Sequence, residues 1–172
     1  MGKRSHIIHI ITTGGTIEKS YDELDGTLEN RASLINKLVV DNLRLPYTEL
    51  NFHPLLKKDS LHFTDEDRNL LVNFISTLAT LGNPIVVLHG TDTMAESASY
   101  CFNKIPDARI PIIFTGAMKP LGFLNTDAHQ NVTEALYAAK VSPPGFYISF
   151  HGELFTVPNV RKNTEKRTFE ET

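Results

Sequence analysis

The 172-residue chain has a single cysteine, Cys101, so no internal disulfide can form, and a buried structural thiol in a reducing, cytoplasmic compartment is expected. It also lacks an excess of basic charge. Lys and Arg number 17 against 20 Asp and Glu, for a formal net charge of −3, which excludes the electrostatic footprint of a nucleic-acid binder and favours a small-molecule partner. Long apolar runs are missing too. The stretch HIIHII is about six residues long, below the minimum for a secretory core or a membrane span, so it reads as a first strand and no membrane partner is expected. The N-myristoylation pattern fails as well, because His6 stands four places after Gly2 where Ser or Thr is required. No internal repeat or low-complexity block occurs. Gly-x-Gly-x-x-Gly, Walker A and the G-x-S-x-G elbow are all absent, which weakens nucleotide and serine-hydrolase readings. His89 and His151 each follow a strand and precede a glycine. Without spaced partners beyond Asp92 they read as packing or hydrogen-bonding groups, and neither metal nor cofactor is expected.

What the chain does have is an alternation of short apolar runs with longer amphipathic ones. Strands are expected at 6–12, 49–56 (weakened by Pro54), 84–90, 109–116 and 145–152. Helices are expected at 28–41, from the capping box at Thr64 to a stop at Gly82, from Thr93 to Lys104 and from Asn125 to Lys140. Runs that are apolar on both faces and joined by helices demand a parallel sheet covered on both sides. The expected class is a single doubly wound α/β domain with a mainly parallel sheet in the flavodoxin-like order 2-1-3-4-5. The polar segment 153–172 reads as a tail, a hairpin or an arm packed on a partner.

Ligands of such sheets bind beyond the carboxyl ends of the strands, and five telling segments stand there. They are TGGT after the first strand, KKDS after the second, HGTDT after the third, TGAMKP after the fourth and HGE after the fifth. Together they gather the hydroxyls of Thr13, Thr16, Ser60, Thr91, Thr93 and Thr115, the carboxylates of Asp59 and Asp92, Tyr21 and several lysines. A threonine hydroxyl needs a base and a polarised electrophile to act as a nucleophile, which suits an amide or acyl carbon. The glycines offer backbone N–H groups to an oxyanion, and Tyr21 offers a proton acceptor. Asp59-Ser60 and Asp92 suit a zwitterion, the carboxylate held by hydroxyls and the ammonium by Asp. Each motif has a plainer reading: the glycines as a turn, Asp-Ser as a helix cap, Thr-Asp-Thr as an N-cap cluster, Tyr21 as a surface aromatic.

TGGTI, KDS, HGTDTM and TGAMKP, in that order and at comparable intervals, resemble the bacterial-type L-asparaginase family over nearly the whole chain. The resemblance implies that Thr16 is the nucleophile and Tyr21 its assistant on a lid running from Thr16 to about Gly26. It implies that Thr91 and Asp92 form a second catalytic pair and that Lys162 is the catalytic lysine, with Lys166 as the alternative and Lys119 less favoured. Asp59, Ser60, Gly15 and Gly90 are the implied substrate-binding positions. The implied reaction is hydrolysis of L-asparagine to L-aspartate and ammonia through an acyl-enzyme, without a cofactor. The typical family member continues into a smaller C-terminal domain that completes the neighbour's site, so the resemblance here is to a short, single-domain form. A homo-oligomer, dimer or larger, is implied. Three rivals stand beside it: a glutaminase or other amidase, an amino-acid-binding module without turnover, and a flavodoxin-like nucleotide or flavin binder.

Overall fold

The computed structural model describes residues 5–21, 28–30 and 43–172. Strand β1 (His6–Thr12) runs into a 3-10 turn (Thr16–Glu18), and β2 (Lys19–Tyr21) pairs antiparallel with β3 (Leu28–Asn30). After β4 (Thr48–Pro54) come a second 3-10 turn (Ser60–His62) and helix α1 (Asp65–Ala79). The chain continues through β5 (Ile85–Leu88), α2 (Met94–Lys104), β6 (Pro111–Thr115), α3 (Ala128–Val141) and β7 (Gly145–Phe150). Strand β8 (Glu153–Thr156) and the hairpin β9 (Val160–Asn163) and β10 (Thr168–Glu171) follow.

The main sheet has the order β4-β1-β5-β6-β7-β8. Its first five strands are parallel, which is the 2-1-3-4-5 order expected, and β8 adds an antiparallel edge. Alternate residues serve opposite faces, as the strand period of two requires. Ile11, Val87, Ile112, Phe114 and Ile148 pack with residues of α1 and α2, while Ile8, Ile10, Val86, Leu88 and Ile113 pack with residues of α3. Both faces are buried, which explains why the strands read as continuous apolar runs. Among the described residues no helix is long and apolar enough to cross a membrane.

Local signals set the element ends. The Thr64 hydroxyl accepts from the Asp67 amide and the Asp67 carboxylate takes the Thr64 amide, closing the capping box that starts α1. Gly82, at φ 73, ends that helical segment. Pro54 is tolerated because it ends an edge strand. One expectation is corrected. Residues 28–30, given to a helix by spacing, are extended and take their hydrogen bonds from β2, with Lys19 opposite Asn30, while the rest of that helix at 31–41 lies outside the described residues. Of the three readings of the polar segment 153–172, the hairpin is the one present, as β9 and β10 preceded by strand β8, and the buried side chains Phe155, Val157, Val160 and Phe169 fold it onto the domain.

Candidate active site

Three strand exits touch one another at the carboxyl edge of the sheet. Gly14 and Gly15 leave β1 at φ 97 and 84, the left-handed region where a side chain is strained. A Cβ on Gly15 would lie 2.4 Å from Gly90 Cα, and a Cβ on Gly90 would lie 2.4 Å from Ser60 Oγ. One on Gly14 would lie 2.5 Å from the Lys58 backbone. The glycines therefore provide close approach between backbones as well as a turn. The Gly15 amide already donates to the Lys58 carbonyl (3.1 Å), so the expectation that it is free for an oxyanion is corrected: the ladder between the two exits uses it.

The hydroxyls divide into committed and available ones. Thr13 donates through both its amide and its hydroxyl to the Leu88 carbonyl (3.1 and 3.0 Å), Thr93 to the Ser60 carbonyl (2.8 Å) and Thr115 to the Ser149 carbonyl (2.8 Å). These tie neighbouring exits together. Thr16 is half-buried with no hydroxyl partner among the described residues, and Ser60 is buried with its Oγ unpartnered. Of the two threonines flanking the glycines, only Thr16 keeps a hydroxyl to offer.

Lys162 joins two of the strand-exit residues. Its Nζ donates to Thr91 Oγ1 and to Asp92 Oδ1, both at 2.8 Å, across 71 and 70 residues of chain. Thr91 is buried, its hydroxyl also directed at the sulfur of Met118 (3.8 Å). Lys166 instead reaches Glu170 (3.5 Å) and stays exposed, and the Lys119 amide is held by Asp127. Of the three lysines that the resemblance offers, Lys162 is the one that reaches Thr91 and Asp92. An ammonium beside both a carboxylate and a buried hydroxyl can orient the hydroxyl and hold charge that develops next to it.

Asp59 is both a cap and half of an ion pair. Its Oδ1 accepts from the Leu61 amide (3.1 Å) and its Oδ2 from Lys19 Nζ (2.9 Å), and the Lys19 hydrogen bond, against the cost of burial, holds its carboxyl below the usual range. Tyr21 lies on β2, 61% exposed, and the structure shows no bond from it to Thr16. Residues 22–26 of the expected lid lie outside the described residues. His89 is fully buried, with Nδ1 on the Gly90 carbonyl (2.8 Å) and its ring against Phe63, and burial pushes its pKa down to about 4. It is a neutral packing histidine. His151 goes elsewhere, to Asp127 and Thr168.

Two residues have no mark in the sequence. Lys19, the partner of Asp59, sits in the stretch TIEKSY but nothing in spacing pairs it across 40 residues. Glu18, the last residue of the Thr16–Glu18 turn, is 3% exposed, with neither carboxylate oxygen in a well-formed hydrogen bond. A charged residue in a loop signals a solvated surface, so its burial is not readable from the residue type.

Comparison with known proteins follows the same geometry. A family model described as Asparaginase, N-terminal, matches residues 7–170. L-asparaginase 1 of Escherichia coli (strain K12) is 33% identical over 149 residues, covering 83% of this chain and 42% of that protein. The thermostable L-asparaginase from Thermococcus kodakarensis superposes with a TM-score of 0.87 at 27% identity, over 96% of this chain and 51% of that one. A subunit of the glutamyl-tRNA(Gln) amidotransferase from Methanobrevibacter smithii is 26% identical over 151 residues, 86% of this chain and 34% of the relative. The chain spans about half or less of the length of these relatives.

Proposed function

The chain belongs to the asparaginase family through its N-terminal domain, and from that premise we propose that it is an amidohydrolase that converts L-asparagine to L-aspartate and ammonia. The observation that carries this reading is the double hydrogen bond from Lys162 Nζ to Thr91 Oγ1 and Asp92 Oδ1. It sets a lysine, a hydroxyl and a carboxylate at the strand edge where open α/β sheets bind ligands.

Thr16 Oγ1 attacks the side-chain amide carbon, its proton passing to the amide nitrogen, and the carbon–nitrogen bond breaks to release ammonia and leave a threonyl ester. Water then adds to the ester, guided by Thr91 and Lys162, and the ester bond breaks to return the Thr16 hydroxyl and release aspartate. Tyr21 assists the first proton transfer once β2 draws over the substrate. Asp59 and Asp92 take the substrate ammonium and Ser60 its α-carboxylate, with Gly15 and Gly90 giving the clearance. Lys19 must leave Asp59 for this to happen, so substrate exchanges one ammonium for another. We assign the chain to the cytoplasm and to a homo-oligomer, the latter of which light scattering can test.

Glutamine is the second substrate to try, because a relative carries the name of a glutamyl-tRNA(Gln) amidotransferase subunit. Ammonia release from both amides is measured on the wild type, Thr16→Ala and Lys162→Met. Each substitution is expected to lower kcat by roughly a hundredfold or more with the melt retained. A wild type that turns over neither amide, yet is stabilised by asparagine, is a binding module and ends the catalytic reading.

A further inference from the structure

His151 closes β7 in an unusual backbone state. Its φ of 50 is left-handed, a conformation that is strained for a non-glycine residue and persists where surrounding contacts over-determine it. Those contacts use every polar atom except the carbonyl. Its amide donates to Asn131 Oδ1 (3.0 Å), Nε2 meets Asp127 Oδ2 (2.8 Å) and Nδ1 meets Thr168 Oγ1 (3.1 Å). Asp127 is a carboxylate that also accepts from the amides of Met118 and Lys119. The ring therefore carries its proton on Nε2 in the neutral form, and Nδ1 accepts from the Thr168 hydroxyl.

Both ends of this chain of bonds arrive at the same place. In one direction Thr168 stands next to Phe169, the register partner of Lys162 in the β9–β10 hairpin, and Phe150 packs its ring on Phe169 at 5.0 Å. In the other, Asp127 holds the amide of Met118, whose sulfur is the second contact of the Thr91 hydroxyl. We propose that His151 is a positioning residue that fixes the Lys162–Thr91 hydrogen bond from both sides, through Thr168 on the lysine's hairpin and through Asp127 on the loop beneath the threonine. The effect on turnover rests on the function proposed for Lys162; the placement of Lys162 does not.

The mildest probe is Thr168→Val, which removes the hydroxyl and keeps the shape, beside Thr168→Ser, which restores it. His151→Phe and the His151→Phe/Thr168→Val pair complete the set. The first readout is kcat and KM for asparagine. The second, independent of turnover, is the rate at which an amine-acylating reagent labels Lys162, resolved by peptide mass spectrometry. Thr168→Val should lower kcat about tenfold to a hundredfold with KM little changed, as a misplacement of about an ångström does, and Thr168→Ser should recover most of it. The double variant should lose no more than His151→Phe alone. Labelling of Lys162 should quicken several-fold in Thr168→Val and return in Thr168→Ser. Equal behaviour of the Val and Ser variants, or unchanged Lys162 labelling, overturns the proposal. A wild type inactive on both amides ends the proposed function, while the labelling comparison still decides whether His151 places Lys162.

Discussion

Replacing Glu18 by glutamine is expected to make the protein more stable at neutral pH and not in acid. The side chain is 3% exposed, and burial is the largest influence on it, pushing its pKa up from 4.5 to about 6. The Thr12 hydroxyl, the Gly14 amide and Lys57 pull partway back. In the folded state the carboxyl keeps its proton to about pH 6, whereas the unfolded chain loses it near 4.5, so folding takes up a proton between these values. Below about 4.5 the raised pKa has no effect on stability; the penalty grows through the window and is complete above about 6. A difference of about 1.5 units at 1.36 kcal/mol per unit amounts to about 2 kcal/mol. Glutamine has the same shape and no charge to desolvate, so Glu18→Gln should gain up to about 2 kcal/mol at pH 7.5, or roughly 4–8 °C in Tm for a chain of this size. At pH 4 the two proteins should melt together, apart from a constant difference in amide hydrogen bonding. Urea unfolding at pH 4, 5, 6 and 7.5 gives the curve directly. A difference between the two proteins that does not change across this range would refute the reasoning, because the effect would then be packing and not charge.

Gly15→Ala should lose about 2–4 kcal/mol, since the methyl meets the Gly90 backbone at 2.4 Å and the residue is held at φ 84; a melt within about 2 °C of the wild type would show that the two exits separate easily. Lys19→Met removes the ammonium that competes for Asp59, an exposed-type pair of about 0.2–1 kcal/mol, so KM for asparagine should fall by up to about fivefold with kcat little changed. A raised KM would mean that Lys19 helps to hold the substrate. The same variant should let the Asp59 carboxyl rise toward its ordinary range, observable by NMR titration.

The sheet is legible in the sequence because burial on both faces leaves continuous apolar runs, and 2-1-3-4-5 is the common order for five such strands alternating with helices. Helix α1 is legible because its capping box is local, Thr64 to Asp67. Of the antiparallel ribbons, the first reads as part of a helix and the second only as one of three alternatives. Residues 28–30 pair with 19–21 and residues 160–163 with 168–171, and short polar strands of this kind owe their conformation to a partner strand and not to their own pattern. At the site, Thr91, Asp92 and Lys162 do meet, although only the fold shows that the lysine is shared between hydroxyl and carboxylate. Lys19 and Glu18 are invisible for a common reason: an ion pair over 40 residues and a buried carboxyl at the end of a turn are products of tertiary placement.

The hairpin that presents Lys162 has a consequence for the order in which the chain is made. Every strand of the parallel sheet is complete at Phe150, and Lys162 lies about twelve residues further on, so the last parallel strand leaves the ribosome ahead of the lysine. At translation rates of about 5–20 residues per second that interval is on the order of a second. Thr91 and Asp92 wait through it without their ammonium, and the contact that Lys162 makes with them is a separate and later event than the sheet that supports it.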